Sequence, residues 1–307
     1  MKENDHEISG FGSLNIDRTY TVPHFVEAGE TMSAAKMELF CGGKGFNQAV
    51  ALARSGKEVY FAGAVGSDGQ MLLDALAADG IHDKYIKRTD GASGHAVIQV
   101  DPKGQNCIII LPGANGEITE ADVDAVLADF DKGDLIVLQN EITCVAYILR
   151  KAAEKGMIVA LNPSPYDARI AEYDMNCVNY LLVNEVEGEA VTGCTEPDAI
   201  ADKLKQLYPN MNLVLTLGSR GAIFCGADGS RHTTGIYRSH AVDTTAAGDT
   251  FTGYFLAQIT ESGDGNLALR QASVASGISV SRKGASPSIP KAEEVAAVGL
   301  DVLETLS

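Results

Sequence analysis

The chain has 307 residues, 45% of them hydrophobic, and carries 24 Lys and Arg against 41 Asp and Glu for a formal net charge of −17. With a mean hydropathy of +0.01, that length fits one large α/β domain with a small appendage, and the acidic field sets nucleic acid and anionic membrane against it as partners. A small neutral substrate and a metal-complexed nucleotide remain compatible. No apolar run approaches the roughly 20 residues that cross a bilayer, and the polar start MKENDHEISG has no signal-peptide core, so a cytoplasmic protein is expected. The six cysteines are scattered without a C-x-x-C pair, the pattern of buried free thiols.

Along the chain, GFGSLNID (10–17) puts Asn15 and Asp17 just past a first predicted strand. Amides and carboxylates hold a neutral sugar by paired hydrogen bonds, and a wrong sugar leaves those buried groups unpaired. An Asx turn at the strand end is the alternative. GGKGFNQAVALARSG (42–56) follows, where Gly42, Gly43 and Gly45 let the backbone approach a ligand closely before a helix predicted to begin near Asn47. Lys44 is followed by Gly45 instead of Ser or Thr, so this is not a Walker A loop. Gly10 and Gly12 lack the third glycine and the helix of a dinucleotide fingerprint, which sets an NAD-linked dehydrogenase aside as the weaker rival.

Strand and helix signals then alternate, as in EVYFAGAVG before GQMLLDALAADG and DLIVLQNE before CVAYILRKAAEKG. Continuous apolar strands suit burial under helices on both faces, which predicts a three-layer α/β/α fold around a mainly parallel sheet. Residues 15–40 and 93–111 break the rhythm as short extended pieces, and alternation on both sides of Asp101-Pro102-Lys103-Gly104 predicts a hairpin. These pieces are expected to form a small β-sheet lid over a main domain of residues 1–14, 41–92 and 112–307; a plain edge hairpin is the alternative. Glu141 ends DLIVLQNE at the carboxyl end of a predicted strand, where open α/β sheets bind ligands. YLLVNEVEGEAV brings Asn184 and Glu187 after another strand, with Glu185 and Glu189 as solvated neighbours. NLVLTLGSRGA places Thr216 and Gly218 at a strand end and turn, with Gly221 closing the hairpin that follows.

The most informative string is DTTAAGDTFTG (243–253). The small residues Ala246, Ala247 and Gly248 precede a helix whose Phe251, Phe255, Leu256 and Ile259 fall at helical spacing. Unpaired N–H groups at such a helix start, at the positive end of its dipole, form a place for an anion. Asp249 sits in the first turn, where one carboxylate can take a hydroxyl proton while the loose transition state of phosphoryl transfer is stabilised by position and charge.

DTTAAGDTFTG and GGKGFNQAVALARSG together resemble the carboxyl- and amino-terminal signatures of the ribokinase family of carbohydrate kinases, the PfkB group, and the resemblance runs over essentially the whole chain. It implies a phosphotransferase with an alcohol acceptor: D-ribose or a close relative and MgATP giving ribose 5-phosphate and ADP. Asp249 is then the base and Ala246–Gly248 the anion hole. By the same resemblance Asn15, Asp17, Gly42, Gly43, Asn47 and Glu141 hold the sugar, and Lys44 lies near the phosphates. Asn184, Thr216, Gly218 and Gly248 contact nucleotide, and Glu187 organises Mg2+ through water. The resemblance places a monovalent cation, K+, on Asp243, Thr245, Ser279, Arg282, Gly284 and Ser288, mostly through backbone oxygens. The adenine pocket is expected near ASVASGISVSRKG, and a homodimer through the lid is expected. Phe46 departs from the family's small residue, which keeps another furanose or a nucleoside open as substrate; a non-catalytic sugar sensor is the other rival. No histidine falls in a catalytic signature.

Overall fold

The computed structural model describes residues 7–300 and 303–304; the signal-peptide reading of the polar start falls largely on residues 1–6, outside them. Two sheets organise the chain. The larger has nine strands in the order β13-β12-β11-β10-β9-β8-β1-β4-β5. In chain order these are β1 (Ile8–Phe11), β4 (Val59–Val65), β5 (His82–Arg88), β8 (Leu135–Gln139), β9 (Ile158–Asn162), β10 (Tyr180–Asn184), β11 (Asn212–Thr216), β12 (Ala222–Cys225) and β13 (Arg231–Thr234). All pair in parallel except the hairpin edge β11-β12-β13.

Alternate residues of β8 show why the sheet is covered on both faces. Leu135 and Val137 enter one apolar core, while Ile136 and Leu138 enter the other, so the period of two buries every side chain. The first core receives α1 (Lys44–Arg54), α2 (Gln70–Ala78), α7 (Ala247–Ser262), α8 (Gly265–Ser279) and α9 (Ala292–Val298); the second receives α3 (Glu120–Leu127), α4 (Val145–Lys155), α5 (Glu185–Thr192) and α6 (Pro197–Leu207). This is the expected three-layer α/β/α fold.

The smaller sheet has the order β3-β2-β6-β7, from β2 (Asn15–Thr21), β3 (Lys36–Gly42), β6 (Gly94–Val100) and β7 (Asn106–Leu111). The hairpin read at 101–104 is present: Asp101 accepts from the Gly104 N–H at 3.0 Å, with Gly104 at φ +76°. A two-stranded ribbon of β14 (Ile236–Tyr237) and β15 (Leu303–Glu304) completes the sheets of the described residues.

Two glycines let the site form. Gly43 caps α1 at φ +94°, so the helix starts at Lys44 and not near Asn47 as the sequence suggested; a left-handed glycine turns the chain into the helix earlier than side-chain pattern shows. Gly253 lets α7 lie against α1, since a β-carbon there would come within 2.4 Å of the Ala51 β-carbon. The first turns of both helices therefore meet at the carboxyl ends of β1, β8 and β9.

Candidate active site

The meeting point is Asp249, 7% exposed in the first turn of α7. Its Oδ2 accepts from the Asn47 amide at 3.1 Å and its Oδ1 from the Gln48 amide at 2.9 Å. The carboxylate that closes one signature is thus gripped by the helix that opens the other, about 200 residues away. Asn47 Oδ1 is buried without a protein partner, an acceptor left over for a hydroxyl to fill.

Around this pair the acidic residues are packed closely. Glu141 Oε2 accepts from the Lys44 N–H at 2.9 Å and from the Ser13 hydroxyl. Burial raises the Glu141 carboxyl although Ser13 and Lys44 pull it down. Asp17 lies over Gly42, where an added β-carbon would meet its Oδ2 at 2.1 Å. Burial, with the charge of Glu141 added, pushes Asp17 up to about 7. Burial would lower the Lys44 ammonium, but Asp249, Glu141 and Glu187 reverse this and raise it, so it stays charged among three carboxylates. Asn15 and Asp17 share a face of β2 by the period of two. The Asn15 Oδ1 accepts from Asn115 Nδ2 at 2.8 Å, which directs its own amide donors elsewhere. Asn15 and Glu141 line a cavity of about 330 Å3 that also touches Asn115, Arg169 and Ile110.

The other side of α7 is different. A cavity of about 420 Å3 is lined by Thr216, Gly218, Ala247, Gly248, Ser276 and Val280, among others. Its wall from Ser273, Ser276, Gly277 and Val280 lies in the ASVASGISVSRKG stretch. No side chain caps α7, and Ala246 enters it at φ +60°, a left-handed turn that costs an alanine about 1 kcal/mol or more. The Ala247 N–H donates to the Thr244 carbonyl at 3.2 Å, so the N–H groups that the helix start presents on the edge of this cavity are those of Gly248 and Asp249. Thr216 Oγ1 donates to the Val183 carbonyl at 3.4 Å.

Asn184 and Glu187 are joined in a capping box at the start of α5: the Glu187 N–H donates to Asn184 Oδ1 at 2.9 Å, and Glu187 Oε2 accepts from the Asn184 N–H at 3.0 Å. Glu187 is 5% exposed, and its charge is among those that raise the Lys44 ammonium. Among the described residues no three His, Cys, Asp or Glu gather as metal ligands. A magnesium ion here would be carried by phosphates and water, and Glu187 would reach it through water.

Asp243 binds two loops. Its Oδ1 accepts from the Thr245 N–H and hydroxyl at 2.9 and 2.6 Å, and its Oδ2 from the Gly284 N–H at 2.9 Å. Burial raises this carboxyl, but those bonds and the Lys283 charge outweigh it and hold it below the usual range. Ser279 and Ser288 donate their hydroxyls to the Ser276 and Ala285 carbonyls. The Arg282 guanidinium turns to Glu294 at 2.5 Å, so only its backbone is free to face the loop. Phe46 is 1% exposed inside the first core and lines neither cavity. Ser13, Gln48, Asn115, Gln139 and Asn162 escaped the sequence reading. Only Gln48 carried a signal, its place beside Asn47.

Fold and site define a phosphotransferase that acts on a sugar hydroxyl. The chain belongs to the pfkB family of carbohydrate kinases, whose model matches residues 5–292. It is 34% identical over 292 residues to a ribokinase of Haemophilus influenzae, covering 92% of this chain and 95% of that one. It is 32% identical over 302 residues to a deoxyribokinase of Salmonella typhi, covering 94% and 97%. Among solved structures, the ribokinase of Arabidopsis thaliana complexed with ribose and ATP aligns at TM-score 0.86 and 28% identity, over 95% of this chain and 98% of that one. The Thermotoga maritima ribokinase aligns at 0.84 and 34%, over 95% and 98%.

Proposed function

We propose that the chain transfers the γ-phosphoryl group of ATP to the primary hydroxyl of D-ribose, giving ribose 5-phosphate and ADP. One observation carries this reading: the uncapped start of α7 opens on a nucleotide-sized cavity at Gly248, while the next residue, Asp249, reaches the amides of α1. Donor and acceptor ends are therefore one residue apart. The sugar lies among Asn15, Asp17, Gly42, Gly43, Asn47 and Glu141, with its primary hydroxyl at Asp249. The hydroxyl oxygen forms a bond to the γ-phosphorus, the bond from that phosphorus to the β–γ bridging oxygen breaks, and Asp249 takes the proton. N–H groups of the helix start and the Lys44 ammonium receive the charge on the phosphoryl oxygens. Magnesium supplies charge neutralisation on the phosphates when bound, with Glu187 holding it through water. The loops joined by Asp243 and Gly284 take K+, which steadies the 243–248 turn without touching substrate.

The four-stranded sheet acts as a lid, and its Ile110 already lines the smaller cavity. Its edge strand β7 is exposed along its whole length, with Ile109 65% exposed. Such an edge invites pairing, and a homodimer through the two lids would cover it. No described helix is long and apolar enough to cross a membrane, and we place the protein in the cytoplasm. The reading is tested by specificity constants for ribose, deoxyribose, fructose and nucleosides with ATP. Ribose is expected to rank first; if it ranks last, the sugar assignment is wrong.

A further inference from the structure

Asp249 needs more than a place: its oxygens must be held so that one lone pair faces the sugar. The proposed reading puts Asn47 at the sugar, whereas Gln48 beside it is 1% exposed and has its amide taken up by protein groups. A buried glutamine amide is indifferent to its orientation unless its surroundings choose one, because its oxygen and nitrogen ends are nearly the same shape. Here a chain of amides chooses. The Leu182 carbonyl can only accept, so the Asn162 amide turns its Nδ2 toward it at 2.8 Å. That leaves Asn162 Oδ1 as an acceptor for Gln48 Nε2 at 3.2 Å. The same Gln48 nitrogen then points at Asp249 Oδ1, at 2.9 Å. On its far side Gln48 Oε1 accepts from Gln139 Nε2 at 2.8 Å, which agrees with the same orientation.

We infer that Gln48 is a positioning residue for phosphoryl transfer: oriented by Asn162 and Gln139, its amide donor holds the Asp249 carboxylate in the rotamer that meets the acceptor hydroxyl. This rests on the reading of Asp249 as the base. The physical reason is directional. A carboxylate held by one amide swings about that bond, whereas donors on both oxygens fix the plane of the group. The direction originates at Leu182 in β10, which leads into the α5 capping box, so the phosphate side of the sheet sets the orientation of the base on the sugar side.

The test is steady-state kinetics of Gln48→Met, which keeps volume and removes the donor, alone and combined with Asp249→Asn, with sugar binding followed by calorimetry. The expected result is a fall in kcat of about 10- to 100-fold, the cost of a small misplacement of a reacting group, with both KM values within about threefold. On the Asp249→Asn background the same substitution should remove nothing further, because residues that act as a unit are not additive. An equal additional loss on that background, or a raised sugar KM with kcat preserved, overturns the proposal. Should Gln48→Met fail to fold, Asn162→Leu at a half-buried position carries the test: kcat should fall by about three- to tenfold with the same split, and an unchanged kcat overturns it. If Asp249→Asn alone stays fully active, the base reading itself fails; if it is inactive while Gln48→Met is fully active, only the role of Gln48 is lost.

Discussion

The two ends of the site are built by opposite means. At the proposed sugar end, polar side chains from β2, α1, β8, β9 and α7 meet in a buried hydrogen-bonded network, with the Asn47 and Gln139 amide oxygens left as spare acceptors. At the proposed nucleotide end, the wall is mostly small residues and backbone, with Gly218, Gly248 and Gly277 among those lining it. A sugar differs from its competitors by single hydroxyls, and only converging buried donors and acceptors read those. A nucleotide offers a large flat base and a string of charge, which shape and helix N–H groups receive without many side chains.

This contrast makes the two ends separable by mutation. The largest effect expected from a binding residue is at the sugar end: Asn47→Leu removes a donor to Asp249 and the spare acceptor together. Its kcat/KM for sugar should fall about 100-fold, the worth of a lost hydrogen bond to a charged group plus a desolvated hydroxyl, while the ATP KM stays put. A matching change in the ATP KM would merge the two ends. At the nucleotide end, a β-carbon on Gly277 would stand 2.5 Å from the Tyr237 carbonyl oxygen and must push that wall inward. Gly277→Val should raise the ATP KM about 10-fold, from an overpacking cost of about 1–3 kcal/mol, with sugar binding by calorimetry unaltered.

The smallest effect is electrostatic. Asp17 has a folded-state pKa of about 7 against 3.8 in the open chain, so the native state keeps a proton that the unfolded state releases. Stability of the sugar-free protein should therefore fall as pH rises from about 4 to 7 and level off above. Asp17→Asn should flatten that slope in urea titrations. A slope that survives the substitution assigns it to other groups, with Glu141 the first to examine.

The same contrast explains what was legible in the sequence. The alternation of apolar strands and helices gave the three layers, and the string around Gly248 gave the start of α7, because each is a local pattern. Asn47 and Asp249 were legible for the same reason. Gln48 was passed over although it adjoins Asn47, since its significance lies in partners at Gln139, Asn162 and Asp249 that only the fold brings near. The start of α1 was misplaced because Gly43 at φ +94° begins the helix before any apolar period is visible. The cavity of the nucleotide end was placed only as a stretch of chain, since small residues line it and small residues carry little pattern.

Asp249 joins the two ends, and its removal is the most direct measurement. Asp249→Ala should lower kcat by about 100- to 10,000-fold, the range of a lost general base, with the sugar Kd by calorimetry changed no more than a few-fold. Turnover at the original rate, or a loss of sugar binding as large as the loss of rate, would contradict the placing of proton transfer at the start of α7.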